Sequence, residues 1–106
     1  YPYTMDKTYP TICIPKVHKS ITKEFVITIF KKYNFGNIIK IDLIKINKIN
    51  KVFIHLIWNN KDLSQKARDI LLKNDNFKII YDENDGWYWK CSASISKQNL
   101  PKINQP

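Results

Sequence analysis

The chain is sparing with the residues that mark special chemistry. Among 106 residues it holds two cysteines, two glycines and one arginine, Arg68. Cys13 and Cys91 lie far apart and neither belongs to a Cys-x-x-Cys pair, which removes support for a disulfide scaffold, a zinc ribbon or a dithiol redox site. Free thiols are expected, and with them an intracellular, cytoplasmic setting. No run of eighteen apolar residues occurs, so no membrane partner is expected. The opening YPYTMDKTYP lacks the charged start and apolar core of a secretory signal. Met5 is a candidate start that would leave Tyr1 to Thr4 as an upstream remnant, and cleavage from a longer chain fits equally well.

Acidic residues are also scarce: 9 face 18 basic ones, a net charge of +9. Such an excess invites a polyanion. It has a second source, because 18 Ile, 17 Lys and 11 Asn are residues that AT-rich codons encode. Part of the lysine excess therefore reflects a biased genome, as in some large DNA viruses or certain protists. A chain of this length argues for one domain, burying roughly 60–70% of its unfolded surface without staples.

The segments present are short and clearly patterned. TICIPKV, from Thr11 to Val17, reads as a strand ended by Pro15 and polar residues. In SITKEFVITIFKKYNFG, Ser20 or Thr22 can cap a helix whose Phe25, Val26, Ile29, Phe30 and Tyr33 share a face, with Gly36 as its stop. NIIKIDLIKI sets Ile39, Ile41 and Leu43 against Lys40, Asp42 and Ile44, a second strand. NKIN, from Asn47 to Asn50, forms a turn without glycine, which leaves its type open. NKDLSQKARDILLKN restarts a helix, capped by Asp62 or Asn60, with Leu63, Ala67, Ile70 and Leu71 on one side. FKIIYDENDGWYWKCSAS is a hairpin arm about Asp85-Gly86 leading into the last strand. There Tyr88, Lys90 and Ser92 face outward, because a buried Lys90 is costly. Three parts follow: an extended arm over residues 1–10, a domain over 11–95, and a flexible tail over 96–106.

KVFIHLIW, from Lys51 to Trp58, poses the functional question. Val52, Ile54, Leu56 and Trp58 make one apolar face, but the other carries Lys51, Phe53, His55 and Ile57. A half-buried strand normally offers water plainly polar groups. The order β-α-β-β-α-β answers it: this is the α+β, ferredoxin-like pattern, a four-stranded antiparallel sheet with both helices on one face. The second face of KVFIHLIW then belongs to an uncovered sheet, a candidate binding platform.

With these residues in place, the chain resembles an RNA recognition motif (RRM) domain from about Thr8 to Ser94, and most closely the RRM-like proteins of large DNA viruses. SITKEFVITIFKKYNFGNI is similar to that family's first helix and its Phe-Gly-x-Ile exit, at Phe35, Gly36 and Ile38. KVFIHLIW stands at the eight-residue motif and ICIPKV at the six-residue one, and GWYWK is similar to the last strand. The resemblance implies single-stranded RNA binding on the open face. Lys51 matches the basic position and Phe53 the first stacking ring, with His55 in place of the second. Cys13 occupies the first strand's stacking position and leaves it without a ring. Tyr88 would extend the platform, and Lys40, Lys51 and Lys90 would meet phosphates.

Against this stand ordinary roles. Phe53 and His55 can be a cross-strand pair, Lys90 an edge guard, and Trp58, Trp87 and Trp89 core anchors. His18, His55, Cys13 and Cys91 do not fall at metal-ligand spacing, and neither a Ser-His-Asp arrangement nor an activated cysteine is legible. No enzyme, metal or other cofactor is expected. The competing reading keeps the fold and changes the partner: a protein-interaction or virion component that binds a protein or itself, as the ringless Cys13 suggests.

Overall fold

The computed structural model describes residues 6–94. Met5 as a start, the remnant Tyr1 to Thr4 and the tail over 96–106 lie outside the described residues. The elements run β1 Ile12–His18, α1 Lys23–Tyr33, β2 Gly36–Ile46, β3 Ile49–Trp58, α2 Asp62–Leu72, β4 Phe77–Asp82 and β5 Trp87–Ala93. All strand pairs are antiparallel, in one sheet of order β2-β3-β1-β5-β4.

The sheet therefore has five strands where four were expected. The arm before the last strand is itself an edge strand, paired from Phe77↔Cys91 to Asp82↔Trp87. Its alternation explains this. Ile79 is buried, and Phe77 and Tyr81 pack beside it against the same core as the other strands. The turn into β5 is closed by Asp82, whose Oδ1 accepts the N–H groups of Asn84 and Asp85 at 3.1 and 3.2 Å. Gly86 then takes the left-handed conformation, φ 69°, which glycine adopts without steric cost.

Helix α1 starts where Thr22 accepts the Phe25 N–H on its hydroxyl at 3.1 Å. It stops earlier than expected, at Asn34 and not at Gly36. Asn34 enters the left-handed region, φ 56°, and its N–H bonds back to Phe30, a conformation that asparagine tolerates better than most residues. Gly36 opens β2 instead, where a Cβ would collide with the carbonyl of Ile57.

Helix α2 departs from expectation at its start and on one face. Its N-cap is Lys61, with no side-chain cap bond; Asp62 lies in the first turn, where the helix dipole favours an acid. Ser64, Ala67 and Leu71 face the core, whereas Leu63 is exposed. Spacing of three and four residues from Ser64 selects that buried stripe and excludes Leu63.

Both helices place buried side chains in a single cluster. Val26, Ile29 and Phe30 of α1 and Ala67 and Leu71 of α2 join Ile12, Ile14, Val17, Val52, Ile54, Leu56, Ile79 and Cys91. Aromatic rings fill the side near β4 and β5: Trp89 stacks on Tyr81 at 4.5 Å and meets Phe25 edge-on at 6.0 Å. Trp58 is buried and donates its Nε1–H to the Pro10 carbonyl at 3.0 Å. Trp87 is not a core anchor. It is 57% exposed at the start of β5, with the Tyr81 ring edge-on to it at 6.4 Å.

Residues 6–10 of the arm are fastened to the domain. The Lys7 carbonyl accepts the Trp58 N–H, and Arg68 donates from Nε to the Tyr9 carbonyl at 2.8 Å and from a terminal nitrogen to the Asp6 carbonyl at 2.7 Å. The chain's single arginine thus holds backbone, using the guanidinium as a multi-donor clamp.

Candidate nucleic-acid interface

Strand β3 separates two environments residue by residue. Val52, Ile54, Leu56 and Trp58 are buried beneath the helices, at 0, 0, 1 and 4% exposure. Lys51, Phe53 and His55 are half-buried on the opposite face, with Ile57 exposed beyond them. Neither Phe53 nor His55 belongs to the helix-covered core.

Register assembles the rest of the face. Asp42 and Cys13 flank Phe53 on its two neighbouring strands, and Ser92 flanks Cys13 in turn. One step along, Lys40 is paired with His55, and in the other direction Ile44 is paired with Lys51. Two irregularities bound this arrangement. In β2, Ile38 pairs with Leu56 and Lys40 with His55, so Ile39 is bulged out and 54% exposed. It does not share the buried side of Ile41, as the plain alternation suggested, because a bulge resets the phase of a strand. In β1 the register slips between Ile14 and Val17, at Pro15, a residue that strands accept at bulges.

A polar chain crosses three segments of this face. His55 Nε2 lies 2.9 Å from Asp42 Oδ2, and Lys40 Nζ lies 3.9 Å from that same oxygen. His55 Nδ1 lies 3.5 Å from the Thr11 hydroxyl. A carboxylate only accepts, so the neutral imidazole carries its proton on Nε2 and turns a lone pair towards Thr11. The ring is thereby held from both sides. Next to it, Lys51 Nζ stands 5.6 Å from the Phe53 ring centroid, within cation–π range.

The remaining expected residues fall at different places. Cys13 is on this face in register with Phe53 but only 6% exposed, so it supplies no stacking surface. Burial pushes its thiol upward, with Lys51 partly opposing the shift. Tyr88 and Lys90 are exposed on β5, opposite in direction to buried Trp89 and Cys91. Lys90 pairs with Lys78, whose ammonium lies 4.6 Å over the Tyr88 ring. Tyr88 is four residues from Ser92, roughly 13 Å along the strand. The structure therefore groups Lys40, Lys51, Phe53, His55 and Cys13, and leaves Tyr88 and Lys90 towards the β4 edge.

Sequence reasoning missed Asp42 and Thr11 as partners of His55. Only an acid alternating with Lys40 was visible. The contact depends on a pairing register that runs unbroken from the β2–β3 turn, Ile46↔Ile49, to Lys40↔His55. It also missed an apolar end to the face: Ile44, Ile46 and Ile49 are all exposed near the β2–β3 turn. That turn is a two-residue loop, Asn47-Lys48, with Asn47 at φ 56°.

No family model, curated protein or solved structure matches this chain.

Proposed function

We propose that the protein is a single-stranded RNA-binding module of the RRM-like kind. In this reading β1, α1, β2, β3, α2 and β5 are the ferredoxin-like unit and β4 is an added edge. The observation that carries it is the juxtaposition of Phe53, His55, Lys40 and Lys51 on a sheet face that the helices do not cover. Aromatic rings stack on bases of any sequence, and flanking ammonium groups meet phosphates. Lysines act as point charges without the planar fork of arginine, so overall sequence specificity is low. The composition and the resemblance support a viral source, with the protein working in the host cytoplasm or the virion.

Ultraviolet crosslinking to a mixed-sequence RNA, followed by mass spectrometry, tests this. Crosslinked peptides should contain Phe53 or His55. Absence of any crosslink to β3 at low salt overturns the reading. A second reading, a protein-interaction or self-associating component, is favoured by the nearly buried Cys13 and by exposed Ile44, Ile46 and Ile49. It is the one left standing if RNA does not bind.

A further inference from the structure

Asp42 is an odd residue on a surface meant for a polyanion. It is solvent-accessible, 46% exposed at the side chain, and directly opposite Phe53 in register. Facing a phosphate it would repel; facing hydrogen-bond donors on a base it would attract. Its contacts leave the second role open. Both His55 Nε2 and Lys40 Nζ approach Oδ2, and no bond engages Oδ1 among the described residues. An ionised carboxylate offers about four lone-pair sites, so Oδ1 is available and Oδ2 has acceptor capacity left. Directly opposite residues have Cβ atoms about 4.5–5.5 Å apart, so the edge of a base lying on Phe53 comes within reach of this carboxylate. Lys51, over the same ring, supplies a donor from another side.

Resting on the RNA-platform reading, we infer that the Phe53 position takes guanine, with Asp42 reading its Watson–Crick edge. Guanine presents two adjacent donors there, N1–H and the N2 amino group, which match a carboxylate. It also carries two acceptors, O6 and N7, for an ammonium such as Lys51. Adenine and cytosine offer a carboxylate only one amino group. Uracil sets a carbonyl oxygen on either side of its N3–H, and both are repelled by Asp42. His55 and Lys40 hold the carboxylate in place, so Asp42 is preorganised for this contact. The result is a module with weak overall specificity and one selective position.

Fluorescence anisotropy with a uridine decamer, and with the same decamer carrying one central guanosine, tests the assignment in the wild type and in Asp42→Asn. Asparagine can still accept from His55 Nε2 but has lost the charge and one acceptor. The wild type should prefer the guanosine decamer by about ten-fold, and Asp42→Asn should reduce that preference to less than about two-fold. Equal affinity of the wild type for the two decamers overturns the inference but leaves the platform standing, as does a preference that survives Asp42→Asn with the fold intact by circular dichroism. Failure to bind either decamer overturns the platform itself, and the inference with it.

Discussion

Neighbouring residues on β3 meet different surroundings. Ile54 and Leu56 belong to the buried apolar cluster under the helices, whereas His55 between them hydrogen-bonds to Asp42 and Thr11 on the other face. The covered face is defined by volume: any well-shaped apolar side chain that fills it serves, and its residues can be named from alternation alone. The open face is defined by partners, and partners come from other strands. Its chemistry depends on register, which the pairing of whole strands and the geometry of the turn between them set.

The largest effect that can break this comparison comes from the covered side. Leu56→Ala opens a cavity below α1 and α2 and should cost about 2–5 kcal/mol of stability, measured by urea unfolding. A loss below about 1 kcal/mol would mean that the two faces are not energetically distinct.

Phe53→Ala tests the opposite expectation one pleat away. Its ring is half-buried and outside the core, so the fold should persist. Affinity for single-stranded RNA should fall by roughly 1–3 kcal/mol. Cys13→Tyr adds a ring beside Phe53 and should leave binding equal or stronger. Unchanged affinity in folded Phe53→Ala would remove the stacking platform.

These two faces were unequally legible. Val52, Ile54, Leu56 and Trp58 were readable as buried because period-two alternation is a local property. Both helices were readable from their apolar spacing, although Leu63 and Trp87 show that an apolar residue near an element's end need not reach the core. The fifth strand is half visible: FKIIYD reads as a hairpin arm, but whether an arm pairs into the sheet depends on the space that α1 and the aromatic rings leave for Tyr81 and Phe77. Phe53, His55 and Lys40 could be assigned to one face. The link from His55 to Asp42 could not, because it depends on the β2–β3 register, which the two-residue turn Asn47-Lys48 sets and the glycine-free NKIN leaves open in the sequence.

The two thiols sharpen the comparison through pH, since Cys13 lies on the open face and Cys91 on the covered one. Burial raises both, and Cys91 is driven far above the ordinary thiol range, with Cys13 beside it adding to the shift. A raised folded-state value means that this contribution to stability is complete below the unfolded thiol value, about 8.5, and is lost as pH rises towards the folded value. Between the unfolded and the folded value each such thiol should lower stability by up to about 1.4 kcal/mol per pH unit. Urea midpoints at pH 8 and 10 should therefore fall more in the wild type than in Cys91→Ala. An equal fall would show that the Cys91 thiol is not sequestered.

The sheet's two edges differ as its faces do. At β4, the Tyr33 hydroxyl donates to the Ile80 carbonyl at 3.3 Å and accepts the Ile80 N–H at 3.2 Å, closing that edge. Along β2 no side chain does this among the described residues, and the bulge at Ile39 with Lys40 and Lys45 guards the edge instead. Tyr33→Phe should cost about 0.5–1.5 kcal/mol of stability and leave RNA affinity unchanged. A change in affinity without a loss of stability would place the RNA on the β4 edge and not on β3.

The smallest expected effect asks whether the open face's charge is functional or inherited from codon usage. Each ammonium held against a single-stranded phosphate displaces counterions and adds about −0.7 to the slope of log affinity against log salt. Three or four such contacts, drawn from Lys40, Lys51 and Lys90, with Lys78 at the margin, predict a total slope of roughly −2 to −3. Lys51→Gln removes one charge from beside Phe53 and should flatten the slope by about 0.7, weakening guanosine- and uridine-containing strands alike apart from any contact Lys51 makes to the base itself. Lys23→Gln, at the exposed start of α1, should leave the slope unchanged. If both substitutions flatten the slope equally, the +9 net charge acts as a diffuse cloud. If Lys51 alone does, the cations on the open face have a role that the genome's preference for lysine does not explain.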